Sequence, residues 1–194
     1  MDKQILKGLI LEQKKALMAE STGIMREAYP YLVEHLSLPH ALVISGLRRA
    51  GKSTLLLQLI DKEYHWDAYY FNLEDERLID FTVQDFNTLY ELMIELYGEK
   101  KVFFLDEIQN IPDWERFVRR LQNEKIKFIL TGSNASLLSK ELGTKLTGRH
   151  LQIELFPYSF REYLKYHKIE FQINDLLITS QRGLLKKQFN EYSF

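Results

Sequence analysis

Between residues 46 and 53 the chain reads GLRRAGKS, in which Gly46, Gly51, Lys52 and Ser53 satisfy the pattern G-x-x-x-x-G-K-[ST] in full. The spacing suits phosphate. Glycines let the backbone from Gly46 through Leu47, Arg48, Arg49, Ala50 and Gly51 to Thr54 turn its N–H groups toward anionic oxygens. Lys52 has the length to reach β and γ phosphates, and the Ser53 hydroxyl is a hard ligand for magnesium at the start of a helix. A glycine turn of purely structural origin needs neither the Lys-Ser pair nor a strand before it and a helix after it. The loop therefore implies nucleotide binding.

A second group lies in VFFLDEIQ, where apolar residues carry Asp106 and Glu107 to the end of a buried strand. Asp106 is expected to hold magnesium through its water shell, and Glu107 to orient or deprotonate an attacking water. Alone, such a run is often a strand meeting a solvated loop; downstream of a phosphate loop the chemical reading prevails. Asn134, with Ser133 beside it, closes the strand KFILTGS, where a polar side chain can touch a γ-phosphate or hold the water, or else cap the next helix. Arg149, in GTKLTGRH, is placed either to complete the site of a neighbouring subunit, since a guanidinium stabilises γ-phosphate charge in the transition state, or to stand as a solvated charge before an edge strand. Arg48 and Arg49 face either nucleotide or solvent. Asn72 and Glu74, at the end of a strand, stand where they can hydrogen-bond Glu107. The five histidines have no metal-ligand spacing.

These residues need elements to hold them. ALVIS, AYYFNL, KVFFLDE, KFILTGS and HLQIELF are short, mostly apolar runs that predict five strands. Helices are predicted between them. GKSTLLLQLI follows the first strand, and Thr82 with Asp85 forms a capping pair before the stripe Phe86, Leu89, Tyr90, Met93, Ile94 and Tyr97, which stops at Gly98. Pro112 suits the first residue of a helix with Trp114, Phe117, Val118 and Leu121 on one face, and a short helix over 135–142 ends at Gly143. Near the start, Ile5, Leu6, Leu9, Ile10, Leu17 and Met18 predict an amphipathic helix packed on the main domain. After Pro157 the pattern is helical, opened by a capping box from Ser159 to Glu162 and interrupted at Gly183. Alternating strands and helices predict an α/β fold: a parallel sheet covered on both faces, with ligands at the strand C-termini.

Composition narrows the classes further. A length of 194 residues fits one domain with small appendages, divided here into an N-terminal helical segment (1–38), a core (39–156) and a C-terminal helical segment (157–194). Twenty-six Lys and Arg against 27 Asp and Glu leave a net charge of -1, so no bulk field draws nucleic acid or an anionic membrane. With no cysteine, disulfide and thiolate chemistry are excluded. ILKGLIL is broken by Lys7 and lacks the core of a signal peptide, and no stretch approaches the roughly 18 apolar residues of a membrane helix. A cytoplasmic protein without a membrane partner is expected.

GLRRAGKS, FFLDEIQNIPDWERFVRRL, ILTGSNASLLS and LTGRHLQIELFPYSFREYL together resemble a family of prokaryotic P-loop ATPases of the AAA type, over most of the chain. The resemblance implies a P-loop NTPase three-layer sandwich with sheet order 5-1-4-3-2. It also implies a Walker A loop at Gly46 to Ser53, a Walker B pair at Asp106 and Glu107, a sensor at Ser133 or Asn134, and an arginine-finger or sensor position at Arg149. Members continue into a C-terminal domain, often winged-helix or nuclease-like, so residues 157–194 are expected to begin a lid or effector domain. Ser53 stands where Thr is commoner, and either hydroxyl binds magnesium.

Three functions share these residues. One is a magnesium-dependent ATPase, with ATP or ADP and Mg2+ as cofactors, whose turnover drives a conformational change in a partner or adjoining domain; Glu107 beside Asp106 favours it. Another is a nucleotide-binding switch with negligible turnover of its own. The third, a small-molecule kinase, needs an arginine-bearing lid, for which the segment after the fourth strand offers Arg149 and, farther on, Arg161. Expected partners are ATP, a second copy of the chain through Arg149 in trans, and a protein or nucleic-acid effector.

Overall fold

The computed structural model describes residues 1–133, 146, 148–170 and 178–192. α1 (Lys3–Ala19) starts at Asp2, whose carboxylate accepts the N–H groups of Gln4 and Ile5. α2 (Tyr29–Glu34) follows, a short helix absent from the sequence expectations. Strands and helices then alternate: β1 (Ala41–Ser45), α3 (Lys52–Lys62), β2 (Tyr69–Asn72), α4 (Asp85–Tyr97), β3 (Val102–Asp106), α5 (Glu115–Asn123), β4 (Lys127–Gly132) and β5 (His150–Glu154). α6 (Phe160–Tyr166) and α7 (Thr179–Tyr192) complete the described chain.

The five strands form one parallel sheet in the order β2-β3-β4-β1-β5, which is 5-1-4-3-2 read from the other edge. Register places Asn72 beside Asp106, and Ser45 between Gly132 and Glu154. All the strand C-termini therefore meet at one edge. On one face Val43, Phe71, Phe103, Leu105 and Phe128 pack against α1, α4 and α5 through residues such as Leu6, Leu9, Phe86 and Phe117. On the other face Leu42, Ile44, Phe104 and Ile129 meet α2 and α3 through Leu32, Leu55, Leu56 and Leu59. β1 and β3 are buried along their whole length, which is why their sequences read as continuous apolar runs. Three layers result.

Local departures have local causes. Thr82 and Asp85 do interact, but Thr82 donates its N–H and hydroxyl to the Asp85 carboxylate instead of accepting from the helix, which is regular only from Asp85. Pro112 lies in a turn before α5, because Asp113 takes a φ of 61° that no helical first turn accommodates. Gly183 sits inside α7 and does not end it; a glycine within a helix costs only about 1 kcal/mol. The capping box at Ser159 and Glu162 is present and opens α6. The helix expected over 135–142, with its stop at Gly143, lies outside the described residues. Among the described residues, no helix is long and apolar enough to cross a membrane.

Candidate functional site

The loop after β1 turns on two glycines. A Cβ at Gly46 would lie 2.1 Å from the Leu155 carbonyl oxygen, so the chain leaving β5 passes closer than any side chain permits. Arg49 and Gly51 take positive φ values of 67° and 88°, and the Ala50 N–H returns to the Leu47 carbonyl at 3.1 Å. α3 then begins without a side-chain cap. The N–H groups of its first turn have no acceptor within the helix, and with the positive end of the helix dipole they favour an anion. Lys52, only 4% exposed, folds back over the loop, its Nζ lying 3.2 Å from the carbonyl oxygens of Gly46 and Leu47 and 3.2 Å from Glu107 Oε1.

β3 delivers the two acids to the same edge. Asp106 is 1% exposed; its Oδ1 accepts the Thr131 hydroxyl and its Oδ2 accepts the Tyr70 hydroxyl at 3.4 Å. Burial pushes the Asp106 carboxyl above its usual range, although hydrogen bonds from Ser53 and Thr131 oppose the shift. Glu107 takes a left-handed backbone with φ 53°, which breaks the strand alternation. Its N–H donates to Thr131 Oγ1 at 2.9 Å, and its Oε2 accepts from Gln109 Nε2 at 2.7 Å and from the Ser133 N–H at 3.0 Å. Burial opposes the Glu107 charge, yet these donors and the Lys52 ammonium hold its carboxyl below the usual value. Neighbouring acids are thus pushed in opposite directions, a pattern that separates chemical roles.

Lys52, Ser53, Asp106, Glu107 and Ser133 lie together at this edge of the sheet. Asn134 lies outside the described residues. Asn72 and Glu74 reach the right edge but do not touch Glu107. The Asn72 side chain accepts the Glu74 N–H at 2.9 Å, closing its own turn, while Gln13 of α1 holds its backbone at 2.8 and 3.0 Å. Glu74 instead pairs with Arg48 of the loop at 2.6 Å. Arg149 precedes β5, whose register sets His150 beside Ala41 and Glu154 beside Ser45, so it stands at the opposite edge, about 16 Å along the strand direction from the loop. Its guanidinium donates to Asn123 Oδ1 at 2.8 Å and is not brought to the chain's own Lys52.

Other residues at the site escaped the sequence reading. Thr131 serves both acids, and the one signal for it was a hydroxyl interrupting the apolar run KFIL beside β3. Gln109 bridges Glu107 and the Ser133 hydroxyl, the latter at 3.3 Å. Arg26, in a short connection with no motif, donates to the Ala50 carbonyl at 2.6 Å. Ser53, Asp106 and Thr131 offer hard oxygen donors of the kind magnesium takes alongside water and phosphate. Among the described residues, no group of three or more His, Cys, Asp and Glu could hold a metal without such help.

A family model described as an AAA domain matches residues 39–164. An uncharacterized protein of Methanocaldococcus jannaschii is 40% identical over 150 residues, covering 77% of this chain and 33% of its own length. An uncharacterized protein of Haemophilus influenzae is 35% identical over 177 residues, covering 87% of this chain and 42% of its own. The chain therefore spans less than half the length of these curated relatives. Among solved structures, the Aeropyrum pernix ORC1 protein in complex with DNA superposes with a TM-score of 0.52 at 14% identity, over 78% of this chain and 51% of that one. Saccharomyces cerevisiae RIF2 superposes with a TM-score of 0.50 at 14% identity, over 98% of this chain and 79% of that one. At these identities the likeness is one of fold.

Proposed function

We propose, from the premise that this chain belongs to the AAA domain family, that it binds Mg-ATP and hydrolyses it to ADP and phosphate. The observation that carries the reading is the 3.2 Å approach of Lys52 to a Glu107 carboxylate held in its charged form by Gln109 and Ser133. Triphosphate oxygens entering the loop give Lys52 better partners than the two carbonyls and the carboxylate it now serves. Glu107, released from Lys52 but still fixed by Gln109 and the Ser133 N–H, then orients a water toward the γ phosphorus and takes its proton. Ser53 and Asp106 would hold magnesium, whose charge offsets that of the phosphate oxygens.

Arg149 supplies the remaining cation from a second copy of the chain, because its own site lies out of reach. That placement also favours a second reading, a nucleotide-binding switch that turns over negligibly as a monomer. In either case the nucleotide state is passed to an effector, protein or nucleic acid, or to an adjoining domain.

Phosphate release from Mg-ATP per mole of protein, measured across a wide protein-concentration series with Glu107→Gln as blank, tests the assignment. Release should rise with concentration and vanish in the blank, while Lys52→Ala should abolish binding. Tight binding without release selects the switch. Unaltered affinity in Lys52→Ala, or unaltered turnover in Glu107→Gln, removes the assignment of roles.

A further inference from the structure

Arg26 belongs to none of the motifs, yet its side chain is only 2% exposed. It comes from the connection between α1 and α2, which Gln58 of α3 fastens by donating to the carbonyls of Thr22 at 2.7 Å and Ile24 at 2.6 Å. From there the guanidinium reaches the loop after β1, the chain after β5 and α6. Nη1 donates to the Ala50 carbonyl at 2.6 Å, inside the phosphate loop. Nε and Nη2 donate to the two oxygens of Glu162 at 2.9 and 3.3 Å, and Nη2 also donates to the Phe156 carbonyl at 2.8 Å. The guanidinium carbon stands 4.9 Å from the centre of the Tyr158 ring. Glu162, 3% exposed, accepts the N–H groups of Ser159 at 2.9 Å and Glu27 at 2.6 Å and is part of the capping box that starts α6.

A buried ion pair by itself is weak evidence of stabilisation, because desolvating both charges costs about what their attraction returns. The arrangement of acceptors is more informative than the pairing. One planar fork spans the loop, the chain leaving β5 and α6, which a point charge could not do. A planar trans peptide directs its C=O and N–H to opposite sides, so holding the Ala50 carbonyl toward Arg26 turns the Gly51 N–H away from it. The contact also bears on Gly51, since a Cβ there would lie 2.7 Å from Nη1.

We propose that Arg26 is a positioning residue of the phosphate loop, and that its grip on Glu162 couples the loop to α6, so that a polyphosphate seated in the loop is felt in that helix. The inference rests on the nucleotide-binding reading above. Coupling of this kind is reciprocal: whatever stiffens α6 tightens the loop by the same factor.

Magnesium tripolyphosphate is the probe, because it carries no base that could touch α6 directly. Binding is measured by calorimetry, and amide hydrogen exchange over residues 160–166 is compared with and without saturating probe, for the wild type and Arg26→Lys. The lysine keeps a positive charge beside Glu162 but cannot also serve Ala50 and Phe156. Wild-type protein should bind, with slowed exchange in α6, and Arg26→Lys should bind about tenfold or more weakly, the loss expected of a charge-assisted hydrogen bond, with no response in α6. Wild type that binds while α6 exchange stays constant overturns the inference, as does unchanged affinity in Arg26→Lys. Binding of Mg-ATP but not of the bare polyphosphate also overturns it, since a loop preset by Arg26 needs no base. A wild type that binds neither overturns the nucleotide reading and this inference with it. Should Arg26→Lys fail to fold, exchange in the wild type decides alone.

Discussion

Thr131 uses one hydroxyl for two tasks, donating to Asp106 and accepting the Glu107 N–H. Both partners are buried, so an isosteric apolar replacement leaves an N–H and a carboxylate oxygen without that partner. Thr131→Val should cost about 1–3 kcal/mol in urea denaturation. It should also lower kcat for phosphate release more than it weakens Mg-ATP binding, because Glu107 loses its backbone anchor while Lys52 and the loop keep theirs. Thr131→Ser, which restores the hydroxyl, should recover most of both. Equal losses in kcat and affinity would show that Thr131 supports the loop as much as the acid.

Among the elements, the connection from α2 to β1 is fastened by a lysine at the start of β4. Lys127 Nζ donates to the carbonyls of Leu38 and His40 at 2.7 Å each and of His35 at 3.3 Å. Lys127→Met keeps the stem and removes the donors, and should cost about 1–3 kcal/mol in urea denaturation. Mg-ATP affinity should stay unchanged, since Lys127 stands at the sheet edge opposite the loop; a large fall in affinity would place that edge under control of the site. The five strands and the shape of the glycine loop after β1 were legible in the sequence for physical reasons: buried parallel strands have no polar face to interrupt them, and glycine spacing reports backbone shape directly. α2 was not, because YPYLVE makes fewer than two turns, too few for periodicity to show. The start of α5 escaped because it depends on the backbone of Asp113, and the direction of the Asn72 side chain because its own turn competes for it. Arg26 and Glu162, 136 residues apart, left no spacing to read.

On the scale of the molecule, that ion pair is where the segment before the core, the phosphate loop and the chain after β5 converge. Burial opposes the charge on Glu162, but Arg26 and the N–H groups of Glu27 and Ser159 hold its carboxyl below the ordinary 4.5. A group depressed in this way contributes stability that is whole above its unfolded value and lost as pH falls through the folded one. Glu162→Gln, which leaves Arg26 buried without its counter-charge, should be about 3–5 kcal/mol less stable at neutral pH. The gap between the two proteins should hold at neutral pH and narrow once the pH drops below 4.5, as denaturation at a series of pH values can follow. A gap that persists undiminished to about pH 3 would mean that the carboxylate's charge is not what Arg26 uses.

The position of α1 sets an order of events during synthesis. Leu6, Leu9 and Ile10 are buried in a cluster whose other members include Phe71 of β2 and Met93 of α4, residues made long after them. At about 5–20 residues per second, the ribosome takes roughly 4 to 18 seconds to reach the end of α4. For that interval the apolar stripe of α1 has no native surface to cover it, whereas α5 is made after β1, β2 and β3. Nascent chains of this protein are therefore most open to chaperone capture, or to association with one another, through a helix that plays no part in the chemistry.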